Sequence, residues 1–433
     1  MPRRLDSRAA DFARRFAEFA DARRGVDEDV DQAVAAIIAD VRKRGDAAVL
    51  DYTERFDRVK LTPATLRLEA ADIAEIAHRA DPNAVKALRL ARDRIADFHE
   101  RQLPDDVDYV DDAGVALGAR WTPLDSVGLY VPGGTAAYPS SVLMNAVPAK
   151  VAGVGRVVMV VPTPDGAINP LVMAAAEIAG VDEIYRVGGA QAVAALAYGT
   201  ASIAPVDKIV GPGNAYVAAA KRRVFGVVGI DMIAGPSEIL VVADKNNDPT
   251  WIAADLLSQA EHDVDAQAIL IADDPAFADA VAAAAERHLT TLKRAAIARA
   301  SWDANGAIIV IKTLGEAPAL VDRLAPEHLE LAVEDAEGLA ERVRHAGAIF
   351  LGRHTPEAIG DYVAGPNHVL PTSRSARFAS GLGVLDFLKR SSIVRCDATS
   401  VRAIGPAAVT LAEAEGLGAH ALSVALRLRS NSD

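Results

Sequence analysis

Short apolar runs, each followed by a turn and an alanine-rich segment, recur along most of the chain and constrain its fold more than any other feature. The first series is SVGLYVP, RVVMVVP, EIYRVG and DKIVG, and the second is EILVVAD, AQAILIAD, GAIIVIK and AIFLG. Apolar strands that alternate with helical segments are typical of parallel sheets covered by helices on both faces. The pattern therefore predicts an α/β protein with two parallel-sheet domains of Rossmann-like type.

Helical segments flank the two series and predict small helical appendages at both ends. Phe12, Phe16 and Phe19 share one face of a first helix, and a second apolar stripe ends at Gly45. Residues 407–428 predict one amphipathic helix that is too short to fold alone and so must dock on another surface. The predicted segments are a helical arm (1–24), a main α/β domain (25–129 with 239–381), a Rossmann-like domain (130–238) and a C-terminal tail domain (382–433).

Length and composition agree with this organisation. The 433 residues exceed the size at which one hydrophobic core stops growing, which favours two main domains. Hydrophobic residues make up 51% of the chain and aromatic residues only 5%, as buried strands and alanine-rich helices require.

Charge and cysteine content exclude several classes of partner. The net charge of -13 disfavours nucleic acid, because binding to phosphates needs clustered cations. One cysteine, Cys396, permits neither an internal disulfide nor a cysteine-cluster metal site. Residues 127–149 and 187–206 lack charges, but Gly, Pro, Ser and Gln interrupt both, so we expect no membrane span. The N-terminus lacks a signal peptide's apolar core, and we expect a cytoplasmic protein.

Glycine-rich turns follow three of the predicted strands, although no segment has the strand, G-x-G-x-x-G and helix of the dinucleotide fingerprint. The turns are VPGGTAAYPSS, VGGAQA and VGPGNAY. Ligands of doubly wound sheets bind beyond the strand ends, where helix amino termini suit phosphates. Each turn alone could be a tight connection, but three in one domain favour a nucleotide site of incomplete dinucleotide-binding type.

Polar residues near glycine-rich segments are candidate metal ligands. Gln259 and His262 stand three residues apart on a predicted helix, which places both on one face. Asp361 and His420 each lie beside an irregular glycine-rich segment that can present a ligand. Taken alone, a pair like the first is more often two polar side chains on an exposed helix face than a metal site, and residues like the others are equally often turn residues.

Glu327 and His328 are adjacent in APEHLEL and could activate water and accept a proton, although the same residues also suit a helix start. Cys396 could form a covalent thiohemiacetal with an aldehyde. Only Arg395 beside it is basic, and a lone cysteine is usually buried and inert, so we interpret Cys396 as structural.

Taken together, these motifs strongly resemble the histidinol dehydrogenase family over essentially the whole chain. The matching segments, all in the family's order, are YVPGGTAAYPSSVLMNAVPA, VGGAQAVAALAYGT, IVGPGNAYV, AGPSEILVVAD, DLLSQAEHD, APEHLEL, GDYVAGPNHVLPT and EGLGAH. The resemblance implies NAD-dependent oxidation of L-histidinol through its aldehyde to L-histidine, with one zinc ion per subunit.

The resemblance also implies a role for individual residues. Zinc ligands would be Gln259, His262, Asp361 and His420, and the acid–base pair would be Glu327 and His328. NAD would contact Tyr130, Gln191 and Asn214, one in each glycine-rich turn. Substrate would contact Ser237, His368 and Glu415 in addition to the zinc ligands and His328.

In this family the enzyme is a homodimer whose C-terminal tail reaches the partner's active site. That arrangement would explain a terminal helix without its own core. Two alternatives are a paralogous zinc and NAD dehydrogenase of another small alcohol, such as a sulfonated propanediol, and a non-catalytic metal or nucleotide sensor. His368 and Glu415 favour a substrate with an imidazole and an amine over the first alternative.

Overall fold

The structure is a computed structural model and describes residues 1–21, 28–133 and 138–429. The chain divides into two compact units. The larger comprises Met1–Arg101 and Asp125–Phe387, and the smaller comprises Gln102–Leu124 and Leu388–Asp433. The borders of the four predicted segments stay predictions, and residues 22–24 and 430–433 of the predicted arm and tail lie outside the described residues.

Strands and helices alternate along most of the described residues. In chain order, the strands are β1 (Arg3–Asp6), β2 (Arg67–Leu68), β3 (Val107–Val110), β4 (Ala116–Pro123), β5 (Ser126–Tyr130), β6 (Arg156–Val160), β7 (Glu183–Tyr185), β8 (Lys208–Val210), β9 (Gly229–Ile230), β10 (Glu238–Ala243), β11 (Gln267–Ala272), β12 (Ala307–Val310), β13 (His328–Ala332), β14 (Ala348–Leu351) and β15 (Leu388–Arg395). The α-helices are α1 (Phe12–Asp21), α2 (Glu28–Arg44), α3 (Asp46–Asp57), α4 (Pro63–Leu66), α5 (Ala70–Ala77), α6 (Pro82–Glu100), α7 (Pro139–Val151), α8 (Pro170–Ala179), α9 (Gly189–Tyr198), α10 (Ala215–Val224), α11 (Pro249–Ala260), α12 (Pro275–His288), α13 (Ala295–Asn305), α14 (Ala317–Leu324), α15 (Ala336–Ala340), α16 (Glu357–Tyr362), α17 (Ala398–Ala414) and α18 (Gly418–Arg429).

Two sheets of the larger unit are built around the strands of the two apolar series and confirm the predicted α/β fold. Among the described residues, one sheet has the order β2-β7-β6-β5-β8-β9 and the other has the order β1-β12-β11-β10-β13-β14. All neighbours pair in parallel except β2 and β7. In each sheet, three consecutive strands lie side by side (β5, β6 and β7, or β10, β11 and β12). The next strand, β8 or β13, then pairs with the free edge of the first of the three, β5 or β10. This reversal is the switch point at which doubly wound sheets bind ligands.

Apolar side chains cover both faces of the β10-containing sheet. Ile239 and Val241 pack with α11, α12 and α13 on one face, while Leu240 and Val242 pack with α1 and α14 on the other. Strands buried on both faces need continuous apolar sequences, which is why EILVVAD predicts a strand. Phe16 and Phe19 of the predicted first helix are buried in the second of these clusters.

Three details differ from the sequence-based expectations. Residues Arg3–Asp6 form a strand that pairs with β12, so the N-terminal segment contains a strand as well as the predicted helix. APEHLEL starts strand β13 and is therefore no helix start. The predicted single helix over 407–428 is broken between α17 and α18, where Gly416 has a φ of 73° that interrupts helical geometry.

The smaller unit contains an antiparallel sheet of order β15-β4-β3 among the described residues, together with α17 and α18. Asp397 caps α17 by accepting hydrogen bonds from the backbone N–H groups of Thr399 and Ser400. Within the described part of the chain, the helices fall short of the length and apolar character that a membrane crossing needs.

Candidate active site

The main chain of Glu238 holds the predicted acid–base pair at the amino ends of two neighbouring strands. Glu327 lies just before β13 and His328 begins it, and both side chains are buried. Glu238, the first residue of β10, donates its N–H to Glu327 Oε2 at 2.8 Å. Its carbonyl oxygen lies 2.9 Å from His328 Nδ1. Since a carbonyl only accepts, Nδ1 carries the proton in the neutral ring and Nε2 has the free lone pair.

Three carboxylates surround the His328 ring. Nδ1 lies 3.7 Å from Glu327 Oε2 and 3.6 Å from Glu357 Oε1, and Nε2 lies 3.5 Å from Asp361 Oδ1. Burial disfavours the imidazolium, but Glu327 and Glu357, together with Asp361, raise the His328 pKa well above its ordinary value. In the charged ring Nε2 carries a proton directed toward Asp361. In the neutral ring, with its proton on Nδ1, Nε2 has no hydrogen-bond partner among the described residues and can accept from a substrate hydroxyl.

Glu327 has an environment suited to proton transfer. Burial raises its pKa to about 8, against the opposing effects of His328 and the Glu238 N–H. A carboxyl group whose pKa is near the working pH can both release and accept a proton. The pair can therefore act on a hydroxyl and on a water molecule.

The predicted metal ligands of the larger unit lie close to this pair. Gln259 is in the last turn of α11, and His262 follows the helix rather than lying on it. Their side chains still meet, with Nε2 of Gln259 3.2 Å from Nδ1 of His262. Asp361 is near the end of α16, beside the irregular segment that follows this helix. Burial raises the Asp361 pKa, but His328 and His262 are among the groups whose opposing effect lowers it overall.

The donor set is compatible with zinc. Gln259 is 1% exposed, and its Oε1 has no hydrogen-bond partner among the described residues. An unpaired buried oxygen of this kind is costly unless a ligand satisfies it. Imidazole nitrogen and carboxylate oxygen are ordinary zinc ligands, and an amide oxygen is an unusual addition.

Of the three predicted substrate contacts other than the zinc ligands and His328, two are in the larger unit, His368 and Ser237. His368 has Nδ1 3.0 Å from the Asp361 carbonyl oxygen and Nε2 3.4 Å from Ser141 Oγ. Burial lowers its pKa, which favours the neutral ring. Ser237 immediately precedes Glu238 and is half-buried.

The other two predicted residues, Glu415 and His420, belong to the smaller unit. Glu415 caps the carboxyl end of α17, and His420 is in the first turn of α18. Both are exposed. Cys396 is in the same unit and is exposed, so the expectation that it is buried is wrong.

Sequence reasoning missed a group of buried carboxyl groups beside His328. Glu330 Oε1 accepts a hydrogen bond from the Glu357 N–H at 2.7 Å, and Ser258 Oγ donates to Glu357 Oε2 at 3.1 Å. Burial raises the pKa of Asp255 to about 7 and also raises those of Glu330 and Glu357. Glu330 was detectable as an acidic residue inside an apolar strand sequence, whereas Glu357 and Asp255 lie in ordinary helical sequence.

His328, Glu357 and Asp361 also place three possible ligand atoms within 4.8 Å of one another. This trio shares Asp361 with the predicted zinc ligands. His328 could offer a metal ion only its Nε2 atom, since Nδ1 is hydrogen-bonded to the Glu238 carbonyl group.

The predicted NAD contacts line one cleft of about 650 Å³ in the larger unit. Tyr130 ends β5, and its hydroxyl oxygen accepts a hydrogen bond from Gly189 N–H at 2.9 Å. Gln191 of α9 is 2% exposed, and its Oε1 has no partner among the described residues. Asn214 caps α10 by accepting from the Tyr216 and Val217 N–H groups. The cleft lies beyond the strand ends at the switch point, and residues 134–137 of the first glycine-rich turn lie outside the described residues.

A buried ion pair fixes the third glycine-rich turn. Lys221 Nζ donates to the Gly211 carbonyl oxygen at 3.0 Å, and Asp231 Oδ2 accepts from the Gly211 N–H at 2.8 Å. Lys221 and Asp231 also pair with each other. Gly211 has a φ of 111°, and a Cβ there would collide with the carbonyl oxygen of Tyr130. The pair thus holds both backbone polar groups of Gly211, which packs against Tyr130.

Two Rossmann-like sheets, a cleft at a switch point and a buried glutamate–histidine pair are together typical of a nucleotide-dependent oxidoreductase. The histidinol dehydrogenase family model matches residues 21–428. Histidinol dehydrogenases from Rhodospirillum rubrum and Ruegeria pomeroyi are 66% and 64% identical to this chain, and each alignment covers 99% of both proteins. The crystal structure of histidinol dehydrogenase from Elizabethkingia anophelis has a TM-score of 0.95 and 34% identity, and the match covers 100% of this chain and 99% of that chain.

The chain belongs to the histidinol dehydrogenase family. These similarities do not favour the alternative of a paralogue acting on another small alcohol.

Proposed function

We propose that this enzyme oxidises L-histidinol through L-histidinaldehyde to L-histidine with two molecules of NAD, as the last steps of histidine biosynthesis. The observation that carries the proposal is the unpaired, buried Nε2 of His328 beside Glu327, with Asp361 3.5 Å away. Relatives that are more than 60% identical over nearly their whole length are named histidinol dehydrogenase.

The two residues of the pair would serve different steps. His328 would accept the hydroxyl proton at Nε2 as the first hydride leaves for NAD, since its Nδ1 proton is bonded to the Glu238 carbonyl group. The aldehyde must then gain an oxygen atom. Glu327 would remove a proton from the water that adds to the aldehyde, and the resulting hydrate would give the second hydride to a second NAD. No cysteine nucleophile takes part in this sequence.

Zinc would be held by Gln259, His262, Asp361 and the partner subunit's His420, with one ion per subunit. Bound there, it would fix the imidazole and amino nitrogens of the substrate without itself changing oxidation state. Ser237, His368 and Glu415 would complete the substrate pocket. The neutral ring of His368, which its lowered pKa favours, could exchange a hydrogen bond with substrate.

NAD would bind in the cleft lined by Tyr130, Gln191 and Asn214. The unpaired Oε1 of Gln191 supports this assignment, because Gln191 lines that cleft and a bound ligand could donate a hydrogen bond to this acceptor. The amino end of α9 lies at the same cleft and suits a phosphate group.

We also propose a homodimer in the cytoplasm, in which each smaller unit completes the partner's active site. The smaller unit has few buried apolar residues, while Leu411, Leu422 and Leu426 of its helices are 64%, 55% and 54% exposed. Apolar surface of this extent is typical of an interface. A symmetric dimer could cover it by exchanging the two tails.

A spectrophotometric assay of NADH tests the function. The zinc-loaded enzyme is expected to form two molecules of NADH per L-histidinol and to act far more slowly on a sulfonated propanediol. Sustained NADH formation would also eliminate a sensor without catalysis. Faster turnover of the propanediol would contradict the proposal.

A further inference from the structure

A buried carboxylate that the mechanism does not use lines the same cleft as Tyr130, Gln191 and Asn214. Asp57 is the last residue of α3 and is 8% exposed. It is the one acidic side chain among the described residues that line this cleft. Its Oδ2 has no hydrogen-bond partner within the described residues.

The position of Asp57 is unfavourable for stability in three ways. Its carboxylate is buried, one of its oxygens is unpaired, and the carboxyl end of α3 presents the negative end of the helix dipole. Burial raises the Asp57 pKa, although the Thr163 N–H and Arg58 partly oppose the shift. A residue that lowers the stability of the folded protein at its position is a candidate for a role in ligand binding.

The topology indicates which ligand group would meet this carboxylate. In dinucleotide-binding sheets, an acidic residue near the end of the second strand binds the hydroxyls of the adenosine ribose. The second strand of this sheet's first βα series is β6, and the first acidic residue after it is Asp165. Asp165 is exposed and pairs with Arg58. The backbone N–H of Thr163, in the same loop, instead binds Asp57.

We propose that Asp57, supplied by α3 from outside the Rossmann-like series, binds the adenosine ribose hydroxyls of NAD and rejects the 2′-phosphate of NADP. This inference rests on the proposed NAD-dependent function. An ionised carboxylate accepts hydrogen bonds from two vicinal hydroxyls, whereas it repels a phosphate at the same place. Phosphates of the dinucleotide would instead meet Arg55, the one cation among the described lining residues, and the amino end of α9.

The test compares Asp57→Asn with the wild type in zinc-loaded, full-length enzyme, using NAD, NADP and the 2′-deoxyadenosine analogue of NAD. Asparagine keeps the size of the side chain and an acceptor for the Thr163 N–H, but it removes the charge. Asp51→Asn is the matched control, because Asp51 lies on the same helix, is exposed and binds Arg44.

We expect Asp57→Asn to lower kcat/KM for NAD about 10-fold or more, mostly through KM, because hydrogen bonds to charged groups have that strength. The ratio of kcat/KM for NAD to that for NADP should fall by a similar factor. The wild type should discriminate against the 2′-deoxy analogue, and the variant should not. Asp51→Asn should match the wild type in all three measurements.

Equal losses with NAD and NADP would overturn the proposal. So would discrimination against the 2′-deoxy analogue that persists in Asp57→Asn, since Asp57 would then face the adenine or nicotinamide amide group. If the wild type forms no NADH from histidinol, the proposed function fails. If it forms NADH and the coenzyme ratio is unchanged in the variant, only this inference fails.

Discussion

Nδ1 of His328 lies 2.9 Å from the carbonyl oxygen of Glu238, and this bond between the first residues of β13 and β10 fixes the tautomer of the ring. The N–H of Glu238 donates to Glu327 Oε2, so the main chain of this one residue orients both Glu327 and His328. The geometry leaves Nε2 as the nitrogen available to a substrate, which separates the roles of the two side chains.

That separation predicts different defects for His328→Asn and Glu327→Gln. His328→Asn should slow both oxidations about a hundredfold to ten-thousandfold, which is the usual contribution of a general base. Glu327→Gln should mainly affect the second oxidation, because only that step consumes an activated water. Each variant is assayed separately with histidinol and with histidinaldehyde. Equal loss on both substrates for Glu327→Gln would contradict the assigned roles.

The Lys221–Asp231 pair predicts an effect on NAD affinity that is separable from stability. Lys221→Met leaves Asp231 buried without a counter-charge, which should cost about 3–5 kcal/mol of unfolding free energy. Lys221→Met with Asp231→Asn removes both charges and should recover most of that loss. Because the Gly211 carbonyl group still lacks its Lys221 donor, the double variant should keep a raised KM for NAD with little change in kcat.

Urea unfolding and steady-state kinetics measure the two effects. Lys208→Met is the control, because Lys208 is also paired, with Asp386 at 2.9 Å, but does not bind a glycine-rich turn. A double variant with normal stability and a normal KM for NAD would show that the turn holds its conformation without the pair.

The raised pKa of Asp57 predicts a pH-dependent stability difference. A carboxyl group with a higher pKa in the folded state binds its proton more tightly there, so the wild type loses stability as pH rises from the unfolded pKa through the folded pKa. Asp57→Asn cannot ionise and escapes this loss. We expect a higher unfolding midpoint than the wild type at pH 7, and little of that gain near pH 3, below the ordinary aspartate pKa of 3.8, where the carboxyl group is mostly protonated in both states. A constant difference at both pH values would mean that ionisation of Asp57 is not the cause.

Most strands are predictable from the sequence because they are continuous apolar runs, which only a sheet buried on both faces requires. Strand β13 escapes this pattern because His328 and Glu330 interrupt its apolar sequence, and these are the residues that face the site. Strand β1 escapes it because RRLD has no apolar run, and its order comes from pairing with β12 about 300 residues away.

The candidate site is also predictable only in part, because some of its contacts join segments that are far apart in the sequence. Motifs identify Glu327 and His328, but their common partner is the main chain of Glu238, about 90 residues earlier. A backbone group has no sequence signature, so only the register of β10 and β13 reveals this contact. Asp57 lies still farther from its binding partner Thr163, and nothing local in TERFDR marks it as a buried residue.

The proposed shared site predicts that two inactive variants restore activity to each other. Glu415 and His420 lie in the smaller unit, whose helices α17 and α18 carry the exposed leucines at 411, 422 and 426. If tails are exchanged in a homodimer, His262→Ala and His420→Ala each disable both sites of their own dimer. In a hybrid dimer, one site receives both lesions and the other receives neither. Random mixing with free subunit exchange should therefore recover about a quarter of wild-type activity, measured as NADH formation from histidinol.

Exchange itself is checked by following hybrids of differently tagged subunits, and mixing His262→Ala with Gln259→Ala is the control. Both lesions of that control lie in the larger unit, so each hybrid site keeps one lesion and activity should stay absent. Recovery only in the His262→Ala and His420→Ala mixture would support a site built from two chains, because lesions in different units then separate on assembly. No recovery despite proven exchange would mean that His420 acts in its own chain's site.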